Sequence, residues 1–281
     1  MFSCDAVRRV LHTLPEGNAV CGVTSLDNLL YVLRYKRSKQ IEVYDKDSYR
    51  LQHCLTVTTL DTMADIASCG HNRCLYISGY TDKCIHRVAL PDAAAVKWHV
   101  NSDISSLSVT DSHTLLATCL NLLVRSIKEF TTDGKLLQQI QLPKDIMSLH
   151  HAVQLPSGQY VVCHGGRRET LQRVCLIDSN GHVIKSYGGS FGAGREQMDV
   201  PTHLAVDGNE SVFVADSNNR RVLSLSPSLT YAGEVLSSEQ LKWWPRRLFL
   251  DVDRGRLYVA ENEVKQGSKF ACGRVVVVSS S

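Results

Sequence analysis

The chain has 281 residues and a formal net charge of +3, with 43% hydrophobic and 21% charged residues. This composition is typical of a water-soluble globular protein, and the balance of 31 basic against 28 acidic residues gives no reason to expect nucleic-acid binding from charge alone. No apolar run approaches the roughly 18 residues that span a bilayer, and the first residues lack a signal-peptide core, so we expect a cytoplasmic protein without membrane contact.

In chain order, an apolar segment within residues 1–15 precedes six copies of one pattern of strands and turns. The copies cover approximately residues 16–58, 59–101, 102–144, 145–190, 198–237 and 243–281. The second strand of each copy is centred on Tyr31, Tyr76, Leu116, Val161, Phe213 and Tyr258. These centres are about 40 to 50 residues apart, which is the length of a four-stranded propeller blade. The sequence therefore predicts one all-β domain, a six-bladed β-propeller.

The two ends of the chain complement each other. The sixth copy stops after its third strand, which includes Arg274 to Val278, and so lacks a fourth strand. The segment from Ala6 to Leu14 has strand character but no partner in the first copy. We therefore predict that the N-terminal segment closes the last blade, which removes an open edge from the ring.

Ten cysteines are scattered among apolar segments of the sequence. Cys69 and Cys74, with His71 between them and Cys84 further along, flank a predicted turn between two strands, a position that does not favour a zinc site. A disulfide framework is typical of short secreted chains. We therefore expect buried or half-buried reduced thiols, which pack as small hydrophobic side chains.

The clearest copy of the pattern is residues 200–227, in which an apolar strand is followed by a loop with Asp216, Asn219 and Arg221. This segment closely resembles the NHL repeat, whose loop has the form Asp-x-x-Asn-x-Arg. The sixth copy is similar in its strands but lacks the Asn and Arg of the loop, and the first four match by spacing and apolar pattern. A WD-repeat propeller is less favoured because the sequence has no Trp-Asp dipeptide.

The whole chain is similar to the C-terminal propeller of tripartite-motif NHL proteins. This resemblance implies a recognition domain, and it raises the alternative of a substrate-recognition part in a ubiquitin-ligase system whose RING is absent from this sequence. It also implies that Asp216, Asn219 and Arg221 act as internal fasteners of the repeat.

The loops between second and third strands emerge on one face of a propeller, which we call the basic loop face. Its candidate contact residues are Lys36, Arg37, Arg167, Arg168, Arg220 and Arg221, together with the planar side chains Tyr35 and His164. Arginine donates well to carboxylates and phosphates, so we expect a non-catalytic scaffold that binds a partner protein. Basic groups among stacking side chains also suit single-stranded RNA, which is the alternative ligand.

His151 and His203 open the innermost strands of the fourth and fifth copies at equivalent positions, and Asp65 holds that position in the second copy. An amidating lyase that resembles NHL proteins binds zinc through three histidines in its channel, so a metal-dependent lyase is a remote alternative. We expect Asp65 to lie across the ring from the histidines and Arg247 to oppose cation binding. The three residues are therefore predicted to line the channel without a metal or cofactor, and no small-molecule substrate is evident.

Overall fold

The computed structural model describes residues 8–35, 39–60, 63–79, 82–120, 125–166, 171–264 and 272–279. Their regular structure consists of 24 β-strands in six four-stranded sheets. None of these residues forms a helix, so the described part of the chain has no helix able to cross a membrane.

The strands follow one another in chain order, four to a blade. The first strand is β1 (Val10–Thr13). Blade 1 has β2 (Val20–Leu26), β3 (Leu29–Arg34), β4 (Gln40–Asp45) and β5 (Leu51–Thr56). Blade 2 has β6 (Met63–Cys69), β7 (Cys74–Gly79), β8 (Cys84–Ala89) and β9 (Ala95–His99). Blade 3 has β10 (Asp103–Val109), β11 (Leu115–Leu120), β12 (Arg125–Phe130) and β13 (Leu136–Gln141).

The second half of the ring repeats this order. Blade 4 has β14 (Leu149–Gln154), β15 (Tyr160–His164), β16 (Gln172–Ile177) and β17 (Val183–Gly189). Blade 5 has β18 (Pro201–Val206), β19 (Val212–Asp216), β20 (Arg221–Leu225) and β21 (Tyr231–Leu236). Blade 6 has β22 (Trp244–Asp251), β23 (Arg256–Asn262) and β24 (Gly273–Ser279), with β1 as its fourth strand.

The core lies between the blades, because each sheet is covered on both faces by its neighbours. The second strands of blades 2, 4 and 5 are buried at every residue. Val161 of blade 4 and Val214 of blade 5, for example, belong to one apolar cluster. Strands covered on both faces read as apolar runs instead of alternating patterns, which explains the run Val275 to Val278 in β24.

The N-terminal strand closes the ring, and this prediction is confirmed. Strand β1 pairs antiparallel with β24, with Val10 opposite Val278 and His12 opposite Val277. Blade 6 is then fastened to blade 1 by Asn262, whose side chain accepts from Val20 N at 2.7 Å and donates to Val20 O at 2.8 Å. A buried ion pair joins Lys46 Nζ to Asp251 Oδ2 at 2.7 Å across the same seam.

Every innermost strand carries a register shift close to its start. The residues that follow the shift are Gly22, Asp65, Ser106, His151, His203 and Arg247. A bulge re-aims the side chain next to it, so equivalent bulges in six blades bring these six positions to one level around the central axis. We call these six residues the channel ring.

The cysteines that the structure describes are all reduced thiols. Six of them are buried, and Cys21 and Cys272 are half-buried, as expected. Cys54 is exposed, so the expectation is wrong for this residue. The reason is its place on β5, an outer strand that no further blade covers.

Candidate functional site

Asp65, His151 and His203 meet in the channel, although they come from three different blades. One ligand atom from each residue lies within 4.8 Å of the other two, and all three side chains are buried. The two imidazole rings stack with centroids 3.7 Å apart. Asp65 lies across the ring from the histidines, as expected, since it belongs to blade 2 and they belong to blades 4 and 5. The three side chains still meet, because the channel is narrow enough for members of opposite blades to touch.

The Asp65 carboxylate is held as an anion by its neighbours. Oδ1 accepts from Arg247 Nε at 3.2 Å, and Oδ2 accepts from the backbone N–H of Leu107 at 3.0 Å. Burial alone would raise the pKa of Asp65, but the charge of Arg247 and the proximity of His203 lower that pKa to about 2. The channel therefore contains an ion pair between Asp65 and Arg247.

Backbone amides of the following blades fix the tautomer of both histidines. His151 Nδ1 accepts from Leu204 N at 3.2 Å, and His203 Nδ1 accepts from Leu248 N at 3.3 Å. In a neutral imidazole that accepts at Nδ1, the proton is on Nε2. The Nε2–H of His151 then donates to Leu107 O at 3.3 Å, and the Nε2 of His203 lies 3.6 Å from Asp65 Oδ2.

Arg247 reaches from blade 6 past blade 1 to blade 2. Its Nη2 donates to Ala64 O in blade 2 at 3.0 Å, and its Nη1 donates to Arg246 O at 3.1 Å. Its side chain is only 15% exposed. The guanidinium thus provides the positive charge beside Asp65 and connects the last blade to the second.

These contacts do not fit a divalent metal ion. A metal held at Nε2 of both histidines would require unprotonated Nε2 atoms, and the proton would then move to Nδ1, where the Leu204 and Leu248 amides already donate. A ring flip that frees Nε2 would leave each of these buried amides without its acceptor, at a cost of about 1–3 kcal/mol per group. Arg247 already neutralises the single carboxylate.

The basic loop face is described only in part. Lys36, Arg37, Arg167 and Arg168 lie outside the described residues. Tyr35 is 57% exposed, and Arg220 is exposed.

The prediction that His164 contacts a partner on this face is wrong. Its side chain is fully buried, with Nδ1 3.2 Å from Met147 O, and Arg173 Nε donates to Nε2 at 3.2 Å. The imidazole is covered because it fills the space beneath Arg173, which pairs with Asp145.

Asp216, Asn219 and Arg221 hold the loop that joins blades 4 and 5. Asp216 Oδ2 accepts from Arg221 Nε at 2.7 Å and from Asn219 Nδ2 at 2.8 Å. Arg221 also donates to the carbonyls of Ala193 and Gln197, both at 2.9 Å, and Asn219 Nδ2 lies 2.9 Å from Gly192 O. Arg221 is therefore an internal fastener in this structure, and Arg220 beside it is the exposed arginine.

Blade 6 contains the same kind of fastener in different residues. Glu261, at the end of the second strand, accepts from Arg274 Nε and from Trp243 N, the latter at 3.0 Å. Blade 1 has the charges reversed, with Arg34 Nε 2.8 Å from Glu42 Oε2. Sequence reasoning missed both pairs, because in blade 6 a longer loop separates the acid from the arginine and in blade 1 the residue types are exchanged.

Replacing Arg221 should destabilise the protein far more than replacing its neighbour Arg220. Arg221→Met leaves Asp216 buried without its cation, so we expect a loss of about 2–3 kcal/mol in the free energy of unfolding. Arg220→Met should change this free energy by less than about 0.5 kcal/mol, because the side chain is exposed. Urea denaturation of the two variants measures both values, and equal effects would contradict the fastener role.

No protein-family model matches the sequence, and no curated protein matches it either. Solved propeller structures resemble the fold over most of its length. Virginiamycin B lyase from Staphylococcus aureus has a TM-score of 0.64 at 10% identity, covering 94% of this chain and 98% of that chain. Hydrazine synthase from Kuenenia stuttgartiensis has a TM-score of 0.64 at 11% identity, covering 89% and 94%.

The β-propeller domain of Cps50 (Swd1) from Myceliophteria thermophila has a TM-score of 0.61 at 12% identity, covering 97% of this chain and 99% of that domain. Two of these neighbours are named as enzymes, and the third is named only as a β-propeller domain. At such low sequence identities, the similarity shows a shared fold and gives no information on the chemistry of this chain. The chain is a six-bladed β-propeller.

Proposed function

We propose that this NHL-like propeller is a non-catalytic scaffold that recognises a partner protein through the basic loop face. The proposal rests on the polar side chains of the channel, which hold neighbouring parts of the ring together. Asp65, His151 and Arg247 each form a hydrogen bond with the backbone of a blade other than their own. Side chains committed to joining blades are poorly suited to act on a substrate, whereas loops on a rigid frame commonly carry recognition.

The described part of the basic loop face supports a protein ligand. Tyr35 is exposed near the end of the second strand of blade 1, and Arg220 is exposed in the equivalent loop of blade 5. Within the described residues the Arg220 side chain forms no ion pair, so its donors are available to a carboxylate. Tyrosine and arginine are the residue types that most often dominate protein interfaces.

A capture experiment with a paired variant tests the proposal. Immobilised protein is incubated with cytosol, with and without nuclease, and the retained proteins are quantified by mass spectrometry. We expect retention of a defined protein to fall about tenfold or more when Tyr35→Ala and Arg220→Glu are combined, because interface residues of these types each contribute more than about 1 kcal/mol. The matched control is Arg73→Glu, which changes an exposed arginine on the opposite face.

Three outcomes separate the alternatives. Loss of the same protein from the double variant but not from the control supports the proposal. Equal retention by all forms contradicts it. Retention that nuclease abolishes and that weakens steeply with salt would identify single-stranded RNA as the ligand instead, because phosphate contacts release counterions.

A further inference from the structure

The outer strand of blade 2 differs from the outer strands of the other five blades. A register shift interrupts the pairing of β1, β5, β13, β17 and β21 with their neighbours. Strand β9 instead pairs with β8 without a shift, from Cys84 opposite His99 to Val88 opposite Ala95. Bulges turn an edge away from further pairing, so β9 is the outer strand with a regular free edge.

The backbone groups on that free edge follow from the hydrogen bonds at both ends of the β8–β9 pair. Ala89 N donates to Ala94 O, and Val100 N donates to Lys83 O, both at 2.9 Å. Bonded and non-bonded positions alternate along an antiparallel pair, so Val96 and Trp98 direct their N–H and C=O groups to β8. Ala95, Lys97 and His99 therefore direct theirs outward, and within the described residues β9 has no second neighbour.

The rest of the blade holds this edge in place and leaves it accessible. The indole of Trp98 lies 6.3 Å from the Tyr76 ring and 6.4 Å from the Phe130 ring of blade 3, which anchors the strand. Val96 is 58% exposed, the largest value among the described large apolar side chains. A fixed strand loses little conformational freedom when another strand is added to it.

The positive charge of Lys97 favours some added strands over others. It is exposed, occupies the middle of β9, and forms no ion pair in the described part of the chain. In an antiparallel pair of two β9 strands centred on this residue, each Lys97 would face the other, and like charges directly opposite are destabilising. An acidic residue in the same place would be attracted, so the edge rejects a second copy and accepts a complementary strand.

We propose that the free edge of β9 binds an extended acidic segment of a partner protein, which adds a fifth, antiparallel strand to blade 2 with a carboxylate opposite Lys97. Main-chain hydrogen bonds to Ala95, Lys97 and His99 would supply the affinity, and the charge at Lys97 would supply the preference. This proposal and the proposed function both have a protein as the ligand, but they concern different surfaces. The variants at Tyr35 and Arg220 test one surface and the variants at β9 test the other, so either proposal can be disproved without the other.

Two labelled nine-residue peptides of alternating threonine and valine test this edge, one with glutamate and one with lysine at the centre. Fluorescence anisotropy with purified protein measures their affinities. We expect the glutamate peptide to bind about tenfold more tightly than the lysine peptide, because the opposed charges change from attraction to repulsion. Amide hydrogen exchange should slow at Ala95, Lys97 and His99 on binding.

Two variants and one control complete the test. Lys97→Pro removes an outward N–H and no bond to β8, so it should abolish binding while the blade stays folded. Lys97→Glu should reverse the preference between the peptides. Lys185→Glu, on the bulged outer strand β17, should leave both affinities unchanged. The proposal would be overturned if the two peptides bound equally or if neither bound. It would also be overturned if the Lys97→Pro variant still bound the peptides and the Lys97→Glu variant still preferred the glutamate peptide.

Discussion

Replacing Arg247 with methionine is expected to lower the melting temperature by about 5 to 9 °C. The variant leaves the Asp65 carboxylate, which is 2% exposed, buried without its cation, and breaking such a pair from one side costs about 3–5 kcal/mol. For 281 residues, an unfolding entropy of about 2.1 cal/mol/K per residue converts that loss into the stated shift. The variant also removes the contact between blade 6 and Ala64 of blade 2.

Two comparisons separate the ion pair from a general effect of the substitution. Adding Asp65→Asn to Arg247→Met should recover part of the loss, because the amide oxygen still accepts from Leu107 N and no charge is left buried. Arg73→Met, which breaks the exposed pair with Asp27, should shift the melting temperature by less than about 2 °C. Calorimetry that shows equal shifts for Arg247→Met and Arg73→Met would refute the channel ion pair.

The protein is expected to lose most of its stability between about pH 6.5 and pH 4. Burial, helped by the charge of Arg246 for His150 and of Arg173 for His164, lowers the pKa of each to about 4. Burial also lowers the pKa values of His151 and His203. In the unfolded chain these side chains bind a proton near pH 6.5, so the unfolded state takes up more protons throughout this range, and stability falls as the pH falls.

The size of this effect is large enough to measure by denaturant titration. His150 and His164, whose pKa values are lowered to about 4, each contribute about 1.4 kcal/mol per pH unit within the range and about 3 kcal/mol in total. The lowered pKa values of His151 and His203 add to the loss in the same direction. Asp65, whose pKa is lowered to about 2, adds a further loss below pH 4. His164→Gln should flatten the slope by about 1.4 kcal/mol per pH unit, and a slope that the variant does not change would contradict the assignment.

The repeat pattern was sufficient to predict the architecture. Second strands centred on residues such as Tyr76 and Phe213 have to be buried on both faces, and burial on both faces leaves a long apolar signal in the sequence. The closing strand could also be inferred. The sequence has one unpaired strand at its beginning and a last blade that lacks one strand, and pairing the first with the last blade completes that blade. The equivalence of Asp65, His151, His203 and Arg247 followed from the same alignment of blades.

The contacts within the channel could not be predicted from that alignment. Spacing places Asp65 and His203 in blades 2 and 5 but does not give the width of the channel, which decides whether they touch. Burial of His164 depends on Arg173, in the neighbouring strand, folding over it. The free edge of β9 depends on its regular pairing with β8, and the spacing of the repeats does not give the register within a blade.

The seam between blades 6 and 1 has a consequence for how the protein is made. Asn262 and Val20, which bond to each other, are 242 residues apart. At a synthesis rate of about 5–20 residues per second, the first blade waits roughly 12 to 50 seconds on the ribosome before its partner emerges. During that interval its seam-facing apolar side chains, including Leu30 and Val32, have nothing from blade 6 to cover them. The nascent chain should therefore bind chaperones that recognise apolar strands, and release should coincide with the arrival of β24.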